Sequence, residues 1–473
     1  SSIQLQKRFR KIGRIASFTF TQNYHSAGST RLSETLSFYY TGNSTNPPGD
    51  SLNQMQFNEN LTNSVAARLT YTESLSEHLF LSAEYSWRYT GSNRDRNVFG
   101  RGTSEKYDTP IDSLSNHYVF NVQSHMPGVT LRYNNKKIRL TAGGKISYTA
   151  LEQVDKDRNT SSTRSFINLF PQVSGEYTIT QQKRISITYN GRTEQPSIEQ
   201  LQPLRDNSNP LYVNIGNPNL QPSFSNRATI SFFSYKMSGK MLNVSLSWYQ
   251  TLNSITSKQM VDQFNKTSSQ YINRNALPSF SIFINNSLPL IKPSEKGGGH
   301  IGFQISAHRY GYLRILNNQE IITRQTGVSM GGNISYYRNK VFNINYNANI
   351  SYSVSKANIG NIGSNFMFTH HHNASATMFL PGKVELTSDV NMSFQPSNNS
   401  FSNSRNIIKW NASVVKKFMK NNQAQIRLSV FDILNQNTGY DRSVNGNSFY
   451  ESASNYIPRY GLLSFIWNFT TKL

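Results

Sequence analysis

Residues 341–353 read VFNINYNANISYS, and apolar and polar side chains alternate through them almost without fault. Phe342, Ile344, Tyr346, Ala348, Ile350 and Tyr352 fall on one face of an extended strand, with Asn343, Asn345, Asn347, Asn349 and Ser351 on the other. A period of two with one oily and one wet face is a strand between an apolar and a polar medium. Its length identifies the apolar medium. Strands of soluble sheets run about five or six residues, whereas a tilted strand crossing a bilayer needs about nine to eleven. The stretch is as long as a membrane crossing.

The pattern recurs. Val384, Leu386, Val390, Met392 and Phe394 alternate with Glu385, Thr387, Asp389, Asn391 and Ser393. Leu242, Val244, Leu246 and Trp248 alternate with Asn243, Ser245, Ser247 and Tyr249, and Ile185, Ile187 and Tyr189 with Ser186, Thr188 and Asn190. Asn, Ser and Thr compete for backbone hydrogen bonds in a helix, and the other residues are largely β-branched or aromatic, so local preference agrees with the period.

Composition points the same way. In 473 residues there is no Pro/Gly/Ser linker or composition shift to mark a domain boundary, so residues 1–473 read as one unit. Hydrophobic residues make up 36% and the mean hydropathy is −0.55, and no run approaches the roughly 18 apolar residues of a spanning helix. That excludes a helical membrane protein. It leaves a membrane β-barrel untouched, because half of every strand faces a polar lumen. The 28 Phe, 26 Tyr and 4 Trp suit the aromatic girdles of such a barrel. The absence of cysteine removes thiol catalysis and thiolate metal sites. The chain starts at Ser1 with neither a methionine nor a charged-then-apolar leader, so a processed or partial chain is expected.

A net charge of +23 invites a nucleic-acid partner. The cations, however, are spread over the whole length, and many fall in tight turns: Lys136, Lys137, Lys183, Arg184, Lys240, Lys340, Lys383 and Lys420. No nucleic acid is therefore expected. The surplus suits solvated turns, anionic lipid headgroups or an acidic partner in the lumen.

Two kinds of connection give the chain sidedness. Short ones are expected at 74–78, 134–137, 180–183, 237–240, 338–340, 381–383 and 420–423. Long ones are expected at 25–62, 91–115, 154–165, 193–225, 356–365 and 435–456. Outer-membrane barrels have short periplasmic turns and long extracellular loops, so the short set should lie in the periplasm. The expected fold is an all-β transmembrane antiparallel barrel, with about eighteen strands after Gly13 and a partial strand in IQLQKRF. The strand number within 25–62 stays open. Pro47, Pro48, Pro196, Pro203, Pro210, Pro218, Pro222 and Pro396 fall where loops are expected.

The segment 189–227 contains Pro196, Gln200, Leu201, Gln202 and Pro203, then Gly216, Asn217, Pro218, Asn219, Leu220, Gln221 and Pro222. It resembles the strand-loop-strand passage of TonB-dependent receptors, with Ser223 where that family usually has Glu. LSVFDILNQN at 428–437 resembles the family's penultimate strand, and PRYGLLSFIWNF at 458–469 its last, although the chain ends Phe469, Thr470, Thr471, Lys472, Leu473 rather than on an aromatic residue. The resemblance implies a 22-stranded barrel in the complete chain, with the N-terminal plug, the first strands and the TonB-coupling segment all preceding Ser1. It implies uptake of a scarce nutrient across the bacterial outer membrane. The implied partners are outer-membrane lipid, the plug, TonB and a surface lipoprotein lid. A structural or assembly barrel without a transport cycle is the alternative.

No catalytic role, cofactor or metal is expected. His370 and His372 share one strand face and His371 takes the other, with no Cys or paired carboxylate near, so lumen or rim histidines are expected rather than ligands. A Ser/His pair involving His300 or His308 is no better supported than chance among abundant serines. The glycines at 297–299 read as a strand entrance. For ligand binding the long loop is the best candidate, with Arg192, Arg205, Asn207, Tyr212 and Asn214 as its polar contacts. The competing reading has the same loop packing over the barrel mouth, its turns set by Pro and Asn.

Overall fold

The computed structural model describes residues 1–38, 49–102, 106–201, 205–209, 212–359, 365–419, 422–445 and 448–468. β1 (Ser2–Arg8), β2 (Ile15–Phe38), β3 (Gly49–Ser74) and β4 (Leu79–Arg101) begin an antiparallel wall. A short β5 (Tyr107–Pro110) leans on the tip of β4. Then β6 (Asn116–Asn134), β7 (Ile138–Asp155), β8 (Thr160–Thr180) and β9 (Lys183–Glu194) continue the wall. The next connection holds α1 (Ile198–Leu201), β10 (Arg205–Asn209) and β11 (Tyr212–Ile215). β12 (Ser223–Tyr235) and β13 (Met241–Leu252) return to the wall, and β14 (Ser254–Val261) and β15 (Thr267–Arg274) form a hairpin whose second strand pairs with β11.

β16 (Ser279–Ser294), β17 (Gly297–Leu316), β18 (Gln319–Arg338) and β19 (Phe342–Ala357) follow in the wall. After them come β20 (Asn365–Leu380), β21 (Val384–Gln395), β22 (Arg405–Phe418) and β23 (Ala424–Phe431). β24 (Tyr440–Asn445) and β25 (Ser448–Ala453) pair only with each other among the described residues, and β26 (Tyr460–Trp467) ends the wall beside β23. Setting aside β5, β10, β11, β14, β15, β24 and β25, the described wall has β1 and eighteen strands after it, as the alternation predicts. Among the described residues no ladder joins β1 to β26. In hydrocarbon an open strand edge needs a partner.

Register shows which face is which. Ile344 stands opposite Tyr336 and Ala376, and Tyr346 opposite Ile334 and Ala374, so the apolar residues of neighbouring strands share one face. That face is the exposed one: Ile344, Ile350, Leu246 and Leu386 all stand open. The other face is polar and more enclosed, with Ser147 and Thr149 buried. This is the inverse of a soluble sheet, and it fits lipid outside and a wet lumen inside.

The strands outrun the membrane. At roughly 3.3 Å per residue the 24-residue β2 is far longer than a crossing requires. Above the crossing the faces exchange roles without a slip in register. In β4 the outward positions run Leu79, Leu81, Ala83, Tyr85, Trp87 and Tyr89, then Gly91, Asn93, Asp95 and Asn97. The inward positions run from Ser82, Glu84 and Ser86 up to Val98, which is fully buried. Tyr118, Phe120, Leu151 and Phe166 are buried on the same inner face. A core therefore forms inside the protruding wall, where water rather than lipid lies outside.

Several connections differ from the sequence reading. Residues 25–62 are mostly one hairpin of β2 and β3, with Pro47 and Pro48 outside the described residues. The expected loop at 154–165 shrinks to a turn at 156–159, because β7 and β8 extend above the membrane. A further short turn, at 295–296, leads into Gly297, whose φ of +153° and closeness to the Tyr337 carbonyl leave no room for a Cβ. Asn317 and Asn318, with φ of 47° and 65°, close β17 and β18 in two residues, as turns with two positive φ angles do. Of the turn cations, Lys420 lies outside the described residues. Lys340 and Lys383 adopt φ of 60° and 62° at the short-turn end.

Candidate functional site

At the long-loop end, the described part of the connection from β9 to β12 is tied down by hydrogen bonds. Ser197 and Gln200 cap α1 reciprocally: the Ser197 N–H donates to Gln200 Oε1 at 2.9 Å, and the Gln200 N–H donates to Ser197 Oγ at 3.3 Å. This orients Leu201 into a buried cluster with Leu151 and Leu220, against Val122, Ile255 and Tyr271. Leu220 is fully buried.

Asparagines hold the rest. The Asn217 N–H donates to the Gln200 carbonyl at 2.6 Å, and Asn217 Nδ2 donates to the Tyr271 carbonyl at 2.8 Å. Asn217 Oδ1 accepts from the Asn219 N–H, turning the chain at Pro218. Asn273 accepts from the Gln221 N–H and donates from Nδ2 to the carbonyls of Gln221 and Asn253. Asn253 Nδ2 in turn donates to the Pro222 carbonyl at 2.9 Å. Gly216 and Pro196 are buried beside this network. Residues 216–222 thus form a clasp that pins the loop to the wall and to the β14–β15 hairpin.

Of the five polar residues read as ligand contacts, the side chains of Arg192, Tyr212 and Asn214 are described. Arg192 points inward from the upper end of β9, largely exposed, 3.8 Å from Glu194. The backbone brings Arg205, Asn207, Tyr212 and Asn214 onto the paired strands β10 and β11, and the side chains of Arg205 and Asn207 lie outside the described residues, as do Pro203 and Pro210. The Tyr212 hydroxyl already accepts from Gln259 Nε2 at 3.1 Å. The β14–β15 hairpin was not expected from the sequence. Its signal was present in the turn-rich DQFNK at 262–266, where Asp262 Oδ1 accepts from the N–H groups of Phe264 and Lys266.

The lumen face is charged, and several of its carboxylates are paired with cations. Glu84 accepts from Lys145 at 2.6 Å and faces Arg68 at 3.3 Å. Glu176 stands between Arg139 and Arg184, and Glu385 is held by Lys417. Some of the chain's cations therefore serve the lumen's own carboxylates.

The histidine run divides between the two places expected of it, lumen and rim. His371 faces inward opposite Asn349, whereas His370 and His372 face outward with Ile350 and Ala348. There His370 stacks on Phe394 at 4.7 Å, and His372 shares a 2.8 Å hydrogen bond with the Tyr346 hydroxyl. His125 pairs with Tyr85 in the same way at 2.7 Å, across β6 and β4. These belong to the upper aromatic girdle, where a ring with a wet edge suits the headgroup level. Among the described residues no three His, Asp or Glu side chains converge in a metal-binding group.

A family model described as outer membrane protein beta-barrel family matches residues 7–467. The chain belongs to that family. It is an integral β-barrel of the outer membrane. No curated protein matches it in sequence. Solved structures similar in fold include the copper transporter OprC, at 9% identity and a TM-score of 0.41, where the match covers 99% of this chain and 79% of that one. Another is the outer membrane transporter YddB from Escherichia coli, at 11% identity and a TM-score of 0.47, covering 99% of this chain and 62% of that one. A third is a mutant of the ferric enterobactin receptor from Pseudomonas aeruginosa in complex with enterobactin. It is 10% identical with a TM-score of 0.33, the match covering 98% of this chain and 80% of that one.

The terminal strands of this family member carry one more built feature. Asp432, buried just past β23, accepts from the N–H groups of Gln436 and Asn437 while its own N–H donates to Asn411 Oδ1. The DILN phrase read from the sequence is thus a turn that launches the β24–β25 connection.

Proposed function

We propose that this barrel takes up a scarce nutrient across the bacterial outer membrane, as a TonB-dependent receptor does, and is not an enzyme. The observation that carries the reading is the pairing of a polar, charged lumen with a walled mouth above the membrane, where a loop is clasped in place. A wet passage through a lipid-facing wall suits movement of a polar solute. On this reading a plug domain and the remaining strands, supplied by sequence outside residues 1–473, close the wall at β1 and β26 and obstruct the lumen. TonB would act through the plug, and a surface lipoprotein would lid the mouth. Arg192, Arg205, Asn207, Tyr212 and Asn214 are the contacts proposed from the loop. The clasp residues Pro196, Gln200, Pro203, Gly216, Asn217, Pro218, Leu220 and Pro222 serve to hold it.

The test is deletion of the gene in the producing bacterium, with growth measured under limitation for single nutrients. Uptake predicts a growth defect confined to one nutrient class and reproduced when TonB energisation is abolished. A defect in envelope integrity with no nutrient specificity would instead establish the structural or assembly role.

A further inference from the structure

The inner face of the wall differs from one sector to another. The paired charges described above lie on β3–β9 and on β21 and β22. On β18, β19 and β20, by contrast, no inner position holds Lys, Arg, Asp or Glu from one end of the strand to the other. These positions carry amides and hydroxyls instead. Asn333, Asn347 and Asn373 stand side by side on the three strands, and Asn391 of β21 continues the row. Above them Ser329, Ser351 and Thr369 form a second row, and Gln325 and Ser355 begin a third. An ionic solute finds no counter-charge along this strip. Each carboxamide and each hydroxyl both donates and accepts a hydrogen bond.

Where the strip reaches the mouth it adjoins a cavity of about 510 Å³ in the neighbouring strands β12, β13, β16 and β17. Arg227, Tyr249, Ser281, His308, Tyr310 and Tyr312 contribute to its lining, and the register puts all six on the inner face. Tyr310 is the cross-strand partner of Gln325, at the top of the strip. Among the described residues no carboxylate lines the cavity. His308 and Tyr310 stack at 4.9 Å, and Tyr312 meets Tyr310 edge-on at 5.3 Å. The imidazole has room because Gly327 stands opposite: a Cβ there would lie 2.5 Å from its Cε1 and Nε2. Across the cavity Tyr249 is held by Thr251, whose hydroxyl donates to the phenol oxygen at 2.8 Å. Tyr249 and Tyr312 keep 45% and 43% of their surface open.

Aromatic walls with a few polar groups between them suit a ring that is apolar on its faces and polar at its edge. A pyranose is such a ring. Its C–H faces settle on the electron-rich face of an aromatic side chain, and its hydroxyls, like those of the strip, donate and accept. We propose that the cavity binds a sugar ring of a neutral oligosaccharide against Tyr249 and Tyr312, and that the uncharged strip of β18–β20 is the path by which the same solute descends the lumen. The descent rests on the uptake reading. The cavity's ligand does not, because binding in detergent requires neither plug nor TonB.

The experiment is to screen the full-length, detergent-solubilised protein on an array of neutral and acidic oligosaccharides, and to titrate the strongest ligand by calorimetry. Binding confined to neutral oligosaccharides is expected. Tyr312→Ala and Tyr249→Ala should each weaken it about tenfold, with the melting temperature unchanged because both rings are open to the lumen. No neutral oligosaccharide bound, a preference for acidic ones, or full affinity in both tyrosine variants overturns the site. Asn347→Asp combined with Asn373→Asp puts charge into the strip and should slow growth on the bound carbohydrate at equal protein level in the membrane. Unchanged growth overturns the role given to the strip. Neutral-sugar binding without a nutrient-specific growth defect on gene deletion would uphold the cavity's ligand and sink the uptake reading. A growth defect confined to a nutrient that is not a carbohydrate would do the reverse.

Discussion

The lower and upper halves of the β4–β8 wall share one continuous register yet obey opposite rules. Below Tyr89, Leu81, Tyr85 and Trp87 point outward and Ser82, Glu84 and Ser86 point inward. Above it, Asn93, Asp95 and Asn97 point outward while Val98, Tyr118 and Phe120 are buried inside. The hydrophobic effect orders both halves. What changes is the medium on the outside, from hydrocarbon to water, so the burial direction reverses. A strand's binary pattern thus reports its surroundings as much as its fold.

The sharpest way to break this comparison is to remove side chains from one half at a time. Phe120→Ala empties the upper core and should cost about 3–5 kcal/mol, read as a lowered urea midpoint in detergent micelles. A neutral result would mean that the upper wall is not a packed core. Next in size is Leu246→Arg, an outward residue midway through the crossing of β13, expected to cost about 2–4 kcal/mol in liposomes. Its neighbour Ser247→Arg, facing the lumen, should change stability by no more than about 0.5 kcal/mol. If the two behaved alike, the assignment of faces would be wrong.

Asn217→Ala separates the clasp from both halves. It removes the bond to the Tyr271 carbonyl and should cost about 1–3 kcal/mol, concentrated in protease sensitivity of residues 195–222 rather than in global unfolding. The smallest effect is expected at the girdle. Tyr346→Phe deletes the hydroxyl bond to His372 and should cost about 0.5 kcal/mol in liposomes, because headgroups and water replace that partner.

Much of the wall was legible because period and length are local properties. VFNINYNANISYS became β19 with its apolar residues outward, and the short turns at 134–137, 237–240 and 381–383 fell at one end. The protruding strands were harder to read. In β2 the small and polar run Ser26, Ala27, Gly28, Ser29 and Thr30 interrupts the alternation before Leu32, Leu36 and Phe38 resume it, and the stretch resembles a loop. The clasp motif was visible as a phrase, but its role was not. Asn217 and Leu220 act on Tyr271, Leu151 and Leu201, partners that no local pattern connects to them.

The barrel class and the alternation of short and long connections follow from side-chain period, turn chemistry and composition, which depend on each residue and its near neighbours. The seat of the β24–β25 hairpin does not. Gln395, Asn403 and Arg442 come from separate parts of the chain, and only the folded wall brings them together. Arg442 finds the Gln395 side chain and the carbonyls of Gln395 and Asn403 because distant strands close around it, and no reading of the chain residue by residue could have shown it.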